Sequence, residues 1–131
     1  MKRRELRDHI FKLLFISEFY EKPEFYEQMN LYLEDMEDIE EQDRDYIWDK
    51  TKAIVDQKNE IDQTITKSIT GWTMERMGKA EANIIRLAFY EMKMDDSVPQ
   101  TVAINEAIEL AKKYGQEESG SFVNGILAKL V

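Results

Sequence analysis

The sequence predicts an all-α protein, a compact single domain of about seven helices. Only two of its 131 residues are proline and five are glycine, so the chain has few built-in breaks. Apolar residues recur three and four apart along most of its length, the period of a helix with one buried face. No run of strictly alternating apolar and polar residues, the mark of a half-buried strand, interrupts them.

The elements follow in order. Leu6, Ile10, Leu13, Leu14 and Ser17 form a stripe that predicts an amphipathic helix over residues 3–20. Pro23 suits the first turn of the next helix, where a missing N–H costs nothing, and Phe25, Met29 and Leu33 continue it. Asp43 is placed to cap a third helix carrying Tyr46, Ile47, Trp48, Ile54 and Val55. A fourth runs near Asn59 to Ile69, with Ile61, Ile65 and Ile69 spaced by four, and Gly71-Trp72 marks a break. Gly78 to Met94 is strongly helical, with Ala80, Ile84, Leu87, Ala88 and Met92 in register. Ser97-Val98-Pro99 is a connector, because the residue before proline disfavours helix. Thr101 to Tyr114 follows, with Gly115 as a left-handed stop and Ser119 as the cap of a last helix over 121–130. Gly125 inside that helix costs about 1 kcal/mol relative to Ala, which points to close packing or close approach.

With 43% hydrophobic residues the chain has enough apolar surface for a core, and its length fits one domain, residues 1–131. It has no cysteine, hence no disulfide or thiolate chemistry. No apolar run reaches the ~18 residues of a membrane span. The basic, amphipathic start lacks the apolar run and small-residue cleavage site of a signal peptide. A cytoplasmic protein without membrane contact is expected.

The net charge of −9 argues against a protein that coats nucleic acid unaided, since phosphate neutralisation supplies most non-specific affinity. The charge is unevenly spread. Residues 21–49 hold twelve acids against Lys22 and Arg44, which leaves the rest of the chain near neutrality. At the N-terminus Lys2, Arg3, Arg4, Arg7 and Lys12 outnumber Glu5 and Asp8. This asymmetry leaves room for a local nucleic-acid contact.

Enzyme signatures are mostly absent. His9 is the only histidine, with no second ligand at helical spacing, and reads as a surface or boundary residue. Gly115 and Gly120 lack the continuation of a phosphate-binding loop. General acid–base work needs a carboxyl in an apolar pocket, and only Glu91 and Glu106 lie in apolar-rich helices. Each is read first as a carboxylate satisfied by Arg86, a lysine or a helix N-terminus. No catalytic residue, cofactor or metal is expected.

A binding module fits better. Arg3 and Arg7 are i,i+4 neighbours that should project together and hold phosphates, although a solvated tail explains them as well. Aromatic residues make up 11% of the chain and supply stacking platforms for unpaired bases. Trp48, Phe89 and Tyr90 read first as helix packing.

Three blocks then carry a resemblance: RRELRDHIFKLLF (3–15), KAEANIIRLAFYEM (79–92) and VPQTVAINEAIELAKKYGQEESGSFVNGILAKL (98–130). Together they resemble the NusB family of bacterial transcription antitermination factors; residues 20–75 match only in helical character. The resemblance implies an all-helical fold in two packed helical subdomains. It implies binding of boxA RNA, a short single-stranded element of rRNA leaders, together with NusE, the small-subunit ribosomal protein. That complex joins RNA polymerase and the other Nus factors to promote read-through, without catalysis. By motif, Lys2, Arg3, Arg4 and Arg7 match the basic RNA-binding element. Phe15 falls where an aromatic lies near RNA, here without a tyrosine hydroxyl. Glu118 and Phe122 lie in the block of the RNA face, and a shorter acid is commoner at the former. Glu81 and Arg86 belong to the helix that meets NusE. On this basis Phe122 is assigned to RNA contact over pure packing, sharing a face with Glu118, Ser121 and Gly125. A helix-to-helix hydrogen bond explains Asn124 equally well.

Two further readings remain open here. One is a protein–protein adaptor of the same fold that has lost RNA binding, which net charge −9 and the departures at Phe15 and Glu118 motivate. The other is an accessory domain like that preceding some rRNA cytosine methyltransferases, although the chain ends at Val131 and no catalytic domain is expected. The protein is expected as a monomer or homodimer. The acidic stretch 34–45 is expected to be a loop or helix junction with a solvated surface.

Overall fold

The structure, a computed structural model, describes residues 1–131 as seven α-helices and one 3-10 turn, with no strand. The helices are α1 (Arg3–Ser17), α2 (Lys22–Glu34), α3 (Glu41–Asp56), α4 (Lys58–Ser68), α5 (Lys79–Met94), α6 (Gln100–Tyr114) and α7 (Ser119–Ala128). The 3-10 turn is Met74–Arg76. The chain divides into two compact units, Met1–Asp56 and Gln57–Val131.

In the first unit α1 packs against α2 and α3, and α2 against α3. Leu6, Ile10, Leu13 and Leu14 of the predicted stripe are buried, as are Phe25, Met29 and Leu33 of α2 and Ile47 and Ile54 of α3. Burying each such side chain is worth about 1.5–3 kcal/mol. Pro23 lies in the first turn of α2, whose first backbone bonds include Phe25 N–H to Glu21 O at 2.8 Å. Asp56, the last residue of α3, ties α2 to it: Tyr26 O–H donates to one carboxylate oxygen and Lys52 Nζ to the other at 2.7 Å. The Lys52 and Tyr26 hydrogen bonds hold the Asp56 carboxyl down to about 2, from an ordinary 3.8. Burial and the same Asp56 contact push the Tyr26 hydroxyl up.

In the second unit α5 packs against α4, α6 and α7, and α6 against α7. Every residue of α5 from Ala82 to Phe89 is buried, so the helix is enclosed all round rather than along one stripe. Two of those residues are polar, and they satisfy each other and α4. Arg86 donates through Nε and a terminal nitrogen to both Asp62 carboxylate oxygens, at 2.7 and 2.9 Å, and to Asn83 Oδ1 at 3.0 Å. A two-pronged pair of this kind is among the stronger hydrogen-bonded contacts in proteins.

Several boundaries and caps differ from expectation. Helix α1 ends at Ser17 rather than residue 20, because Glu18 and Phe19 N–H groups close on Phe15 and Ile16 carbonyls in a tighter three-residue turn. Asp43 does not cap α3. It lies inside the first turn and accepts from the Met1 ammonium at 2.8 Å, which holds that amine above its ordinary value of 8.0. Gly115 is not a left-handed stop: its φ of −93° and ψ of −162° are open to other residues. Glycine is required there by space, since a Cβ would lie 2.5 Å from Ser119 Oγ and 2.7 Å from the Ala111 carbonyl. The one left-handed residue is Gly71, φ 85°, which turns the chain after α4. Gly125 is exposed, and a Cβ there would meet nothing within 4 Å, so no packing within the chain demands it. Of the aromatics read as packing, Phe89 is buried, whereas Trp48 and Tyr90 are half-buried. The acidic stretch divides between the α2–α3 connection and the start of α3.

Candidate nucleic-acid interface

The cationic feature of the first unit is the start of α1. The N-terminus of a helix already favours anions through its unpaired N–H groups. Lys2, Arg3 and Arg4 lie there and are exposed. Arg3 is held in place: its guanidinium lies 5.4 Å from the Tyr46 ring centroid and donates to the Tyr46 hydroxyl at 3.2 Å. Lys50 approaches the same ring at 5.1 Å and donates to its hydroxyl at 3.0 Å. One tyrosine thus carries two cations, which fixes positive charge beside the helix start.

Arg7 does not join Arg3 on an exposed face. It is only 5% exposed. The reason lies in its spacing: positions 7, 10, 11 and 14 follow the three-four pattern of a buried stripe, and all four are buried.

Phe15 is half-buried in a ladder of rings, 6.4 Å from Phe11 and 5.6 Å from Phe19. The ladder opens to solvent at Phe19, 60% exposed, and Tyr20 follows it. Twelve residues at about 1.5 Å each separate Phe15 from Arg3 along α1, roughly 18 Å. The basic end and the aromatic end of α1 are therefore separate places.

The second unit has an open groove of about 440 Å³ beside the start of α7. Phe122 and Glu118 line it together with Glu81, Trp72, Arg76 and Ser119. Trp72 and Phe122 meet edge to face, with centroids 5.1 Å apart and planes at 72°. Ser119 does not cap α7 but is a latch. Its hydroxyl donates to Glu81 Oε2 at 2.8 Å and accepts from Gln116 N–H at 2.8 Å. The latch pins the start of α7 to the start of α5, and the glycines at 78 and 115 leave room for it, because a Cβ at either would strike Glu81 or Ser119.

The two residues expected to meet a protein partner part company. Glu81 sits half-buried in the groove with Phe122 and Glu118. Arg86 is buried in its pairing with Asp62 and Asn83, a place in the core rather than on a binding face. Ser121, Gly125 and Asn124 are exposed on α7 but do not line the groove. Glu91 is buried and Glu106 half-buried, and neither lines the groove. His9 is half-buried, its Nδ1 2.7 Å from the Tyr32 hydroxyl.

Sequence reasoning missed Trp72 and Arg76. Gly71-Trp72 reads as punctuation, and the 3-10 turn that follows has no periodic signature. The available signal was a large aromatic beside a glycine break, followed four residues later by an arginine.

No group of three His, Asp or Glu side chains is placed to hold a metal ion, and no helix is long and apolar enough to cross a membrane. The chemistry-bearing features are surfaces: a cationic helix start and an aromatic groove with carboxylates. These define an all-helical binding protein. A family model described as the NusB family matches residues 4–131. The transcription antitermination protein NusB of Lachnoclostridium phytofermentans is 48% identical over 131 residues, covering 100% of this chain and 99% of the relative. A solved T. maritima NusB superposes with a TM-score of 0.84 at 32% identity, covering 99% of this chain and 90% of that one. A crystal structure of the antitermination factors NusB and NusE in complex with dsRNA gives 0.80 at 26% identity, covering 96% and 92%. The chain belongs to the NusB family.

Proposed function

We propose that this protein is a transcription antitermination factor that binds boxA RNA of rRNA leaders together with NusE and promotes read-through by RNA polymerase. One observation carries the reading: the family match runs from residue 4 to the C-terminus, with a near-full-length relative 48% identical. The solved NusB–NusE–dsRNA complex supports both partners at the level of the fold. Residues 1–131 act as a single RNA-binding domain in the cytoplasm, and RNA polymerase and the other Nus factors are reached through the complex.

Lys2, Arg3 and Arg4 contact the RNA backbone, which positions it without reading sequence. Phe15 in the first unit meets bases, as do Phe122 and Glu118 in the groove of the second, where Glu81 lies beside those two. Arg7 and Arg86 support these surfaces from within. A net charge of −9 makes the protein a weak RNA binder by itself and a good partner for a basic ribosomal protein. In a gel shift, boxA RNA should move weakly with the protein alone and strongly once NusE is added. An RNA that never moves while NusE still associates would favour the adaptor reading.

A further inference from the structure

Trp72 is 45% exposed, although indole is among the most costly side chains to leave in water. It is set out by Gly71, whose left-handed backbone redirects the chain after α4. Its ring meets that of Phe122 at 72°, so the two rings form a corner rather than a closed pair. A flat group laid on one ring touches the other with its edge. On the groove wall stand two carboxylates, Glu81 and Glu118, with Glu81 oriented by the Ser119 hydroxyl. These repel phosphate but accept hydrogen bonds from the N–H edge of a heteroaromatic ring. The one cation of the groove, Arg76, is exposed on the 3-10 turn.

We propose that Trp72 is a base-stacking residue: with Phe122 it holds one unpaired nucleobase of the bound RNA, while Arg76 takes the adjoining phosphate. This rests on the RNA-binding reading above and deepens it. A duplex keeps its bases stacked and paired, so the corner takes a base from a single-stranded stretch. Carboxylates suit the N–H edge of a base and Arg76 suits its phosphate, so the charges of the groove match the two ends of one nucleotide. An apolar side chain of a protein partner would use the rings but bring no donor to Glu118 or to the Glu81 oxygen that Ser119 leaves open.

The test uses the full chain with NusE and a boxA RNA, together with a set of RNAs in which each base in turn is removed to leave an abasic sugar. Trp72→Ala should weaken binding to intact RNA by about 5- to 150-fold, the range for losing one base stack, and Trp72→Phe should recover most of it. On one abasic RNA the Trp72→Ala penalty should vanish, and the Phe122→Ala penalty should vanish on the same one. Independently of any folding defect in those variants, Trp48→Phe leaves Trp72 as the sole tryptophan. Its emission should be quenched by intact RNA and not by that abasic RNA. If wild-type protein binds RNA and Trp72→Ala binds equally well, the proposal is overturned and the RNA-binding function stands. A penalty undiminished on every abasic RNA also overturns it, marking Trp72 as a structural or protein-contact residue. If wild-type protein with NusE binds no RNA, the functional reading falls and this proposal with it.

Discussion

Arginines at positions 3, 4 and 7 look alike in sequence and differ in the structure. Arg3 and Arg4 are exposed, whereas Arg7 is buried. Their substitutions should therefore fail in different ways. Arg3→Ala with Arg4→Ala should lower affinity for boxA RNA and reduce the slope of log K against log salt by about 0.7 per lost phosphate contact on a single strand. Melting should barely change, since exposed substitutions stay within about 0.5 kcal/mol. Arg7→Ala should destabilise the fold by roughly 0.5–3 kcal/mol, because it truncates a long side chain buried with Ile10, Phe11 and Leu14. Salt titrations and thermal melts of the two proteins check this. An unchanged salt slope in the double variant would remove Arg3 and Arg4 from the RNA contact. The i,i+4 relation between Arg3 and Arg7 was legible in the sequence, but so was the competing stripe of 7, 10, 11 and 14. Helical spacing alone does not say which of two overlapping faces is buried; packing against α2 and α3 does.

Between elements, two small devices set geometry. The Ser119 hydroxyl joins α7 to Glu81 of α5. Ser119→Ala removes two hydrogen bonds from a buried position and leaves the Gln116 N–H without that acceptor, a loss of about 1–3 kcal/mol. Melting should fall by roughly 3–10 °C for a chain of this size, and a melting point unchanged within a degree would show that the latch carries no stability. The other device is Asp56, which joins α2 to α3. Its folded pKa, about 2, lies below the ordinary 3.8, so the charged form is the one stabilised by folding. That contribution is full above about pH 4 and is lost as pH falls from there toward 2. The difference in urea midpoint between wild type and Asp56→Asn should be constant from pH 7 to 5 and shrink below 4. A difference independent of pH would contradict the role given to this carboxylate.

The helices themselves were readable because each buries a stripe that repeats at three and four residues: Leu6 to Leu14, Phe25 to Leu33, Ile61 to Ile69. What spacing could not show is contact across distance in the chain. Ser119 reads locally as a cap, yet its hydroxyl goes to Glu81, 38 residues away. Trp72 reads as a break, yet it forms the groove with Phe122. Gly115 reads as a left-handed stop, yet the structure uses it to make room for Ser119. For Ser119 and Trp72 the partner comes from another helix, far along the chain, where local spacing carries no signal.

At the scale of the molecule, charge decides how the surfaces are used. Residues 21–49 carry enough acid to account for the whole net charge of −9, while the cations that would meet RNA sit at the start of α1 and at Arg76. Such a protein has little long-range attraction for RNA and a strong one for a basic protein. That balance is the physical ground for the proposed dependence of RNA binding on NusE. The affinity for boxA RNA at one fixed salt concentration, with and without saturating NusE, measures this dependence. NusE should tighten binding by at least about tenfold, or 1.4 kcal/mol of coupling. Equal affinities with and without NusE would contradict it.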